Sequence, residues 1–442
     1  MQFIRSLYLH PVFFWYVTGL SLLFLGSHVF VPLYDVAWMA TLALLALFAF
    51  DMYLLYRADG VVAKRRLPKK MSNGDANPVS IQVQNKYGFV AHLQLIDELP
   101  VQFQKRDFGH EVHLRTGEHH EFHYQLRPVD RGEYHFGQLI VYASSPLKLI
   151  KRRYGFQKNE SVPVYPSIIQ MQQYDFLAIH NRLSAIGLKK IRRIGHTQEF
   201  EQIKEYVTGD DIRTLNWKAT AKQNQLMVNQ YQDERSQPVY SIIDMGRTMK
   251  MPFNGLTLLD YAINSTLAFS NVALKRKDKT GMIAFSKDIS THIPAKSKIT
   301  HLNAIMEQLY KVDTEFSDTD FGRLYGHLKR KVTHRGLLLL YTNFEHMSAL
   351  KRQLPYLLGL SKQHVLVVIF FENAELEDIV KGKANNLQDV YHKTIAEKFS
   401  LEKKLMQREL QKYGIQSILT SPEKLTINTI NKYLEIKARG LL

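Results

Sequence analysis

The sequence predicts an α/β protein. A doubly wound, mostly parallel sheet is expected in its carboxyl-terminal half, preceded by a small β-sandwich and an amino-terminal transmembrane helical hairpin. Three observations carry this expectation. From residue 237 onward, apolar runs such as Val239-Tyr-Ser-Ile-Ile-Asp244 and Leu337-Leu-Leu-Leu-Tyr341 alternate with helical stretches, the pattern of parallel strands covered on both faces. Between residues 79 and 126 the apolar positions recur at every second residue, as in strands with one buried face. Residues 12–31 and 36–50 contain no Asp, Glu, Lys or Arg.

Length and composition frame the reading. At 442 residues the chain exceeds a single core, which stops growing near ~250–300 residues. A hydrophobic content of 45% against 22% charged residues is that of a folded protein. The absence of cysteine excludes disulfides, thiolate zinc sites and cysteine nucleophiles, and fits a reducing compartment. A net charge of +17 suits either a nucleic-acid binder or a protein held against an anionic membrane leaflet.

The amino terminus favours the membrane. Two apolar runs, each near the ~20 residues that cross a bilayer core, flank the short turn Pro32-Leu-Tyr-Asp35. The first is too long for a cleavable signal peptide and lacks its small-residue cleavage pattern. Arg57, Lys64, Arg65, Arg66, Lys69 and Lys70 follow the second run, whereas the turn carries only Asp35, so the positive-inside rule puts both flanks in the cytoplasm. The expected location is a bacterial inner (cytoplasmic) membrane, multi-pass, with the soluble part cytoplasmic. Asp51 lies one turn from the expected interface, within reach of headgroups.

Residues 1–57 are thus read as two transmembrane helices and residues 58–77, rich in Pro, Gly, Asn, Ser and basic residues, as a linker. Residues 78–166 form the β-sandwich. Its histidines, His110, His113, His119, His120 and His123, fall at no recognisable ligand spacing and read as a solvated sheet face. Residues 167–236 form a connector, with a helix over 167–194 ending in the basic run Lys189-Lys-Ile-Arg-Arg193. Residues 237–442 form the α/β domain. Strands are expected near 238–244, 280–285, 336–341, 364–371 and 415–419, with a long, mostly solvated helix over 386–413.

The connector holds the densest polar motif, Tyr206-Val-Thr-Gly-Asp-Asp-Ile-Arg-Thr-Leu-Asn-Trp217. Gly209 permits a turn that a side chain forbids. Asp210 is placed to cap the next turn or to accept a forked bond from Arg213, and Trp217 offers a large apolar anchor. The block reads equally as a folding clasp or as a docking surface. It resembles the signature of the bacterial family called domain of unknown function 58, Tyr-x-x-Gly-Asp-x-x-Arg-x-Ile-x-Trp. Tyr206, Gly209, Asp210, Arg213 and Trp217 fall on it, and Leu215 replaces the Ile. The turn Asp130-Arg-Gly-Glu-Tyr134 is similar to one in the family's sandwich, while Ser144-Ser-Pro-Leu147 matches its next segment only in part.

The resemblance implies a von Willebrand A-like domain and, with it, a Mg²⁺ site of oxygen ligands that takes a partner's carboxylate. The equivalent positions are Asp244, Gly246, Thr248, Thr319 and Asn343. Two are altered: Gly246 lacks a hydroxyl and Asn343 lacks a charge, with Asp318 and Asp320 as neighbouring candidates to compensate. The alternative is that Asp244 and Thr248 cap the following helix. The resemblance further implies a MoxR-type AAA+ ATPase as partner, in assembly or maturation of envelope client proteins. No Gly-x-Ser-x-Gly elbow, phosphate-binding Gly-Lys-Ser/Thr loop or His-Glu-x-x-His helix occurs, so an enzyme is not expected. No zinc finger, basic recognition helix or RNP motif occurs, so no nucleic acid is expected. The expected function is a membrane-anchored, non-enzymatic scaffold or co-chaperone; the alternative is a metal-dependent, adhesion-like binding module on the degenerate Mg²⁺ site.

Overall fold

The computed structural model describes residues 5–105, 108–157, 159–179, 198–208, 210, 212–233, 237–314, 316–373, 376, 379–380, 382 and 386–441. The chain divides into two compact units, Met1–Tyr165 and Pro166–Leu442.

The first unit begins with strand β1 (Leu7–Leu9) and two apolar helices, α1 (Pro11–Ser27) and α2 (Leu33–Tyr56). Of these, α2 is long and apolar enough to cross a membrane, and α1 is a shorter apolar helix. Ring contacts join Phe13 to Phe48 and Phe24 to Trp38, so the helices run alongside each other in opposite directions. Ten further strands follow: β2 (Val61–Arg66), β3 (Met71–Ser72), β4 (Asn77–Asn85), β5 (Ala91–Asp97), β6 (Gly109–Leu114), β7 (His119–Leu126), β8 (Gly132–Phe136), β9 (Leu139–Ser144), β10 (Ile150–Phe156) and β11 (Glu160–Tyr165). They form sheets ordered β1-β10-β9-β5-β6, β2-β4-β7 and β3-β11-β8 around one apolar core.

The linker expected at 58–77 is instead largely sandwich. Strand β2 buries Val61, Ala63 and Arg65 on alternate positions and pairs with β4, Ala63 opposite Val83. The signal was present in the sequence as period-two alternation, but the exposed basic residues between the buried positions disguised it. Asp51 is also corrected. It is buried, and its Oδ2 accepts hydrogen bonds from the backbone N–H groups of Leu149 (3.1 Å) and Ile150 (3.0 Å) rather than facing headgroups. The base of α2 is fixed further by Tyr87 Oη and Arg152 Nη1, which donate to the Leu55 carbonyl at 2.9 and 2.6 Å. Arg152 lies over the rings of Tyr56 and Tyr154, 4.6 Å from each centroid. Strand β1 meanwhile pairs with β10, and His10 N–H donates to Leu149 O, so the chain enters α1 from the same sandwich edge that receives the end of α2.

Arg65 is the largest fully buried side chain of this core. Its guanidinium meets Asp97 Oδ1 at 2.5 Å, Glu160 Oε2 at 3.2 Å and the Gly137 carbonyl at 3.2 Å, and stacks over Phe136. Tyr124 donates to the other oxygen of Asp97. Burial raises the Asp97 pKa, and the Arg65 charge and Tyr124 hydroxyl oppose that rise. Of the histidines, His92 and His113 meet edge to face at 4.1 Å and His110 stacks on Phe122 at 4.3 Å; no group of three potential metal ligands occurs among the described residues.

The second unit opens with α3 (Ile168–Ile179), and the Ser167 N–H donates to Asn264 Oδ1 at 2.8 Å. The basic run 189–193 lies outside the described residues. The remainder of the connector is a two-stranded antiparallel ribbon, β12 (Gln198–Glu205) with β13 (Met227–Asp233), and the signature block sits between its strands with the short helix α4 (Trp217–Gln223).

The main sheet of this unit has the order β18-β17-β14-β19-β20-β21: β14 (Pro238–Asp244), β17 (Lys279–Phe285), β18 (Ile289–Lys296), β19 (Leu337–Tyr341), β20 (Val365–Phe371) and β21 (Gln416–Thr420). Five strands are parallel, and β18 is an antiparallel edge. The hairpin β15 (Pro252–Phe253) and β16 (Leu256–Thr257) precedes α5 (Leu258–Lys275), whose start is fixed by a Thr257–Asp260 capping box. Helices α5, α6 (His301–Lys311) and α10 (Leu425–Ala438) contribute to the core on one face. Helices α7 (Phe321–Lys331), α8 (Met347–Gln363) and α9 (Leu387–Lys412) supply the other. Contrary to its expected solvation, α9 buries Ala396, Met406 and Leu410.

Replacing Arg65 with Met keeps the apolar stem but strands Asp97 in the core. The expected loss is about 3–5 kcal/mol, the usual result of breaking a buried pair from one side. It is read by chemical denaturation of the full chain in lipid nanodiscs, followed by the exchange protection of β4 and β5.

Candidate functional site at the carboxyl-terminal edge of the sheet

Strand β14 pairs with β17 on one side and β19 on the other, so the chain reverses its direction of travel across the sheet between β14 and β19. Ligands of open α/β sheets bind outside the strand ends at such a switch point. Asp244, the last residue of β14, lies there and is 2% exposed.

Three protein donors hold its carboxylate. The Gly246 N–H (2.8 Å) and Thr319 Oγ1 (2.7 Å) donate to Oδ1, and Thr342 Oγ1 (2.6 Å) donates to Oδ2. Burial raises the Asp244 pKa above the ordinary carboxylate range, and the Thr342, Thr319 and Gly246 hydrogen bonds pull it back. Gly246 is required for the geometry: a Cβ there would stand 2.2 Å from Thr319 Oγ1 and 3.0 Å from Asp244 Oδ1. Asp244 therefore caps no long helix, since α5 has its own Thr257 cap; it clasps two loops onto the end of β14.

A cleft of about 100 Å³ lies beside it, lined by Asp244, Thr248, Thr319, Thr342 and Asn343 together with Arg247 and Arg352. The structure thus brings together Asp244, Thr248, Thr319 and Asn343 in the cleft, with Gly246, the fifth expected position, bonded to Asp244. Their chemistry does not suit Mg²⁺. Asp244 is the one buried carboxylate there, and Glu345, which also lines the cleft, is exposed. Asp318 is exposed and pairs with Arg247, and Asp320 accepts the Arg323 N–H to cap α7 and pairs with the Arg323 guanidinium. The Asn343 Oδ1 accepts a proton of the Lys403 ammonium at 2.8 Å, which puts a cation beside a position meant to ligate one. A hard divalent ion needs an oxygen set richer in charge than this.

Thr342 was not singled out in the sequence, and Lys403 was read only as part of the mostly solvated helix over 386–413. Thr342 carried a usable signal, because it follows directly on the buried β19 run. Lys403 comes from α9, sixty positions along the chain from Asn343, and had none. Its ammonium also donates to the Phe344 carbonyl at 2.5 Å, and burial brings its pKa down to about 8 against the opposing charges of Glu345 and Glu402.

The signature block is a separate local structure. Among the described residues Asp210 bonds backward: its Oδ1 accepts the Lys204 ammonium at 2.9 Å and its Oδ2 the Val207 N–H at 3.0 Å, which lower its pKa. The Tyr206 N–H donates to Leu226 O, and Asn216 caps α4 by accepting the Ala219 N–H. Gly209 and the Arg213 side chain lie outside the described residues. Trp217, expected as a large apolar anchor of either a folding clasp or a docking surface, is 69% exposed, and Val207 and Ile212 are exposed with it. The first position of a short capped helix points this ring outward.

Asp244→Ala leaves three donors without their acceptor and is expected to cost about 2–4 kcal/mol. Gly246→Ser is expected to destabilise through displacement of Thr319. Millimolar Mg²⁺ should leave the melting temperature of the unaltered chain unmoved, whereas a ligand bound only by the folded state would raise it. Because folding raises the Asp244 pKa, its contribution is full below the unfolded carboxylate range and fades as pH climbs through the folded value; Asp244→Asn should remove that slope.

Comparison with known proteins gives the following. The crystal structure of the conserved hypothetical protein BatB from Bacteroides thetaiotaomicron aligns over 46% of this chain and 100% of its own, at 14% identity and a TM-score of 0.31. A PapD-like domain of human CEP192 aligns over 24% of this chain and 86% of its own, at 14% identity and a TM-score of 0.18. Uncharacterized protein YeaD of Bacillus subtilis (strain 168) is 29% identical over 121 residues, 27% of this chain; the match spans 30% of that relative's length. Residues 202–391, from the ribbon that carries the signature block to the start of α9, match the family described as protein of unknown function DUF58.

Proposed function

We propose that this chain is a membrane-anchored, non-enzymatic protein-interaction scaffold of the bacterial inner membrane. On this reading its second unit is a von Willebrand A-like domain with a degenerate metal site. It works with a MoxR-type AAA+ ATPase in assembly or maturation of envelope proteins. The observation that carries the reading is the composition of the switch-point crevice. Its one central carboxylate and two of its threonine hydroxyls are consumed in holding loops together, so the crevice is built to present a shape rather than to break a bond. The exposed Val207, Ile212 and Trp217 at the ribbon's tip supply a second recognition surface, of the apolar and aromatic kind that protein partners bury.

The anchor supports the same reading. The apolar helices α1 and α2 are both joined to the sandwich at the ends away from their connecting turn. A membrane hairpin of this kind leaves the sandwich on the side of the basic residues 57–70, the cytoplasm by the positive-inside rule. An ATPase partner is cytoplasmic as well.

In sealed spheroplasts, externally added protease should leave residues 58–442 intact, and inverted vesicles should lose them; the opposite pattern overturns the topology. A photo-crosslinking residue at position 217 or 207 of the full-length protein should trap a cytoplasmic AAA+ ATPase or an envelope protein. Recovery of neither from intact cells would sink the scaffold role.

A further inference from the structure

A second cavity opens at the same sheet edge, beyond Asn343. It measures about 720 Å³ and is bounded by the ends of β20 and β21, the hairpin β15–β16 and one side of α9. This is within the ~300–1,000 Å³ of small-ligand sites, and strand ends, hairpin, helix and the residues Asn373, Leu376 and Ile379 give it a concave, half-open form. Phe253, Phe371, Phe399 and Leu419 make its wall mostly apolar.

The one desolvated charge in that wall is the Lys403 ammonium. It has three protons; two are given to Asn343 Oδ1 and Phe344 O, both neutral acceptors. Among the described residues no carboxylate forms an ion pair with it. Its neighbour Glu402 is turned away, accepting the Met347 N–H at 2.8 Å. Glu345 and Glu372 also line the cavity without pairing with Lys403. The half-buried ammonium is held directly by two neutral oxygens, with the Glu345 and Glu402 charges acting on it only through space, so a charge-assisted hydrogen bond from it to an anion is worth more here than in water. The third N–H is the donor for that bond.

We propose that this cavity binds a small apolar molecule bearing a single carboxylate, its chain against the aromatic wall and its carboxylate on Lys403. This goes beyond the scaffold reading and does not depend on it. Neither Asp244 nor the signature block takes part.

The test uses the full chain in nanodiscs of zwitterionic lipid, titrated calorimetrically at pH 7 with octanoate, octanol and octylamine, with empty nanodiscs as the blank. Octanoate should bind at least tenfold more tightly than either of the others. Lys403→Met should abolish that preference while leaving octanol binding unchanged. Phe253→Glu changes a wall residue on the hairpin rather than on α9, and should weaken octanoate at least tenfold by like-charge repulsion. Equal affinities for the three probes, tighter binding of the amine, or octanoate binding that survives Lys403→Met would overturn the proposal. So would preference for an apolar peptide with a free carboxyl terminus over octanoate, which would assign the cavity to a protein partner.

Discussion

A carboxylate placed at the end of a central strand, in contact with two others, has to be met by donors or it will expel itself from the fold. Asp244 meets that constraint with three neutral donors drawn from the loop after β14, the start of α7 and the end of β19. The consequence is architectural. Loops that would otherwise hang independently from separate strands are joined through two oxygen atoms, and the rim of the sheet acquires a defined surface. Gly246 belongs to the same arrangement, because only the absence of a side chain lets Thr319 approach. The oxygens of Asp244 accept hydrogen bonds from hydroxyl and amide groups, and the positive charges at this edge are the protein's own: Arg247 and Arg352 in the cleft, and Lys403 on Asn343.

The sandwich solves a similar problem differently. Arg65 and Asp97 are both fully buried, and the pair is saturated by Glu160, Gly137 and Tyr124. A buried ion pair of this kind adds little net stability compared with an apolar replacement of both partners, but it tolerates no partial removal. It ties β2 to β5 and β11, and so fixes the segment that leads out of α2. The buried carboxylates of Asp97 and Asp244 are thus held in two ways, one compensated by charge and the other by neutral donors.

How much of this was legible in the sequence follows from the range of the interactions. The five parallel strands were read within a few residues, most directly from apolar runs such as those of β14 and β19. The edge strand β18 was missed, since Ile289–Lys296 alternates weakly and carries His292, Pro294 and Lys296. Strand β2 was mistaken for a linker because its outward positions are basic. At the site, Asp244, Thr248, Thr319 and Asn343 were named correctly as neighbours, but their pairing was not foreseen. Hydrogen-bond direction and the arrival of Lys403 from α9 depend on tertiary approach, to which residue spacing is blind. For Trp217 the two readings, folding clasp and docking surface, differ in which way the ring points, and an aromatic ring announces apolar area, not its direction.

The manner in which α2 ends has a mechanical corollary. Its last turn is gripped by Tyr87 and Arg152, with Asp51 bonded to β10 one turn earlier and β1 laced to the same strand. A helix joined to its cargo by a floppy hinge can lean without consequence for what it carries. Here the lever has no hinge. Helices of fixed apolar length lean further in thinner bilayers, so in a membrane any such inclination of α2 swings the sandwich through the same angle, and local lipid thickness becomes a setting for the direction in which the sandwich faces.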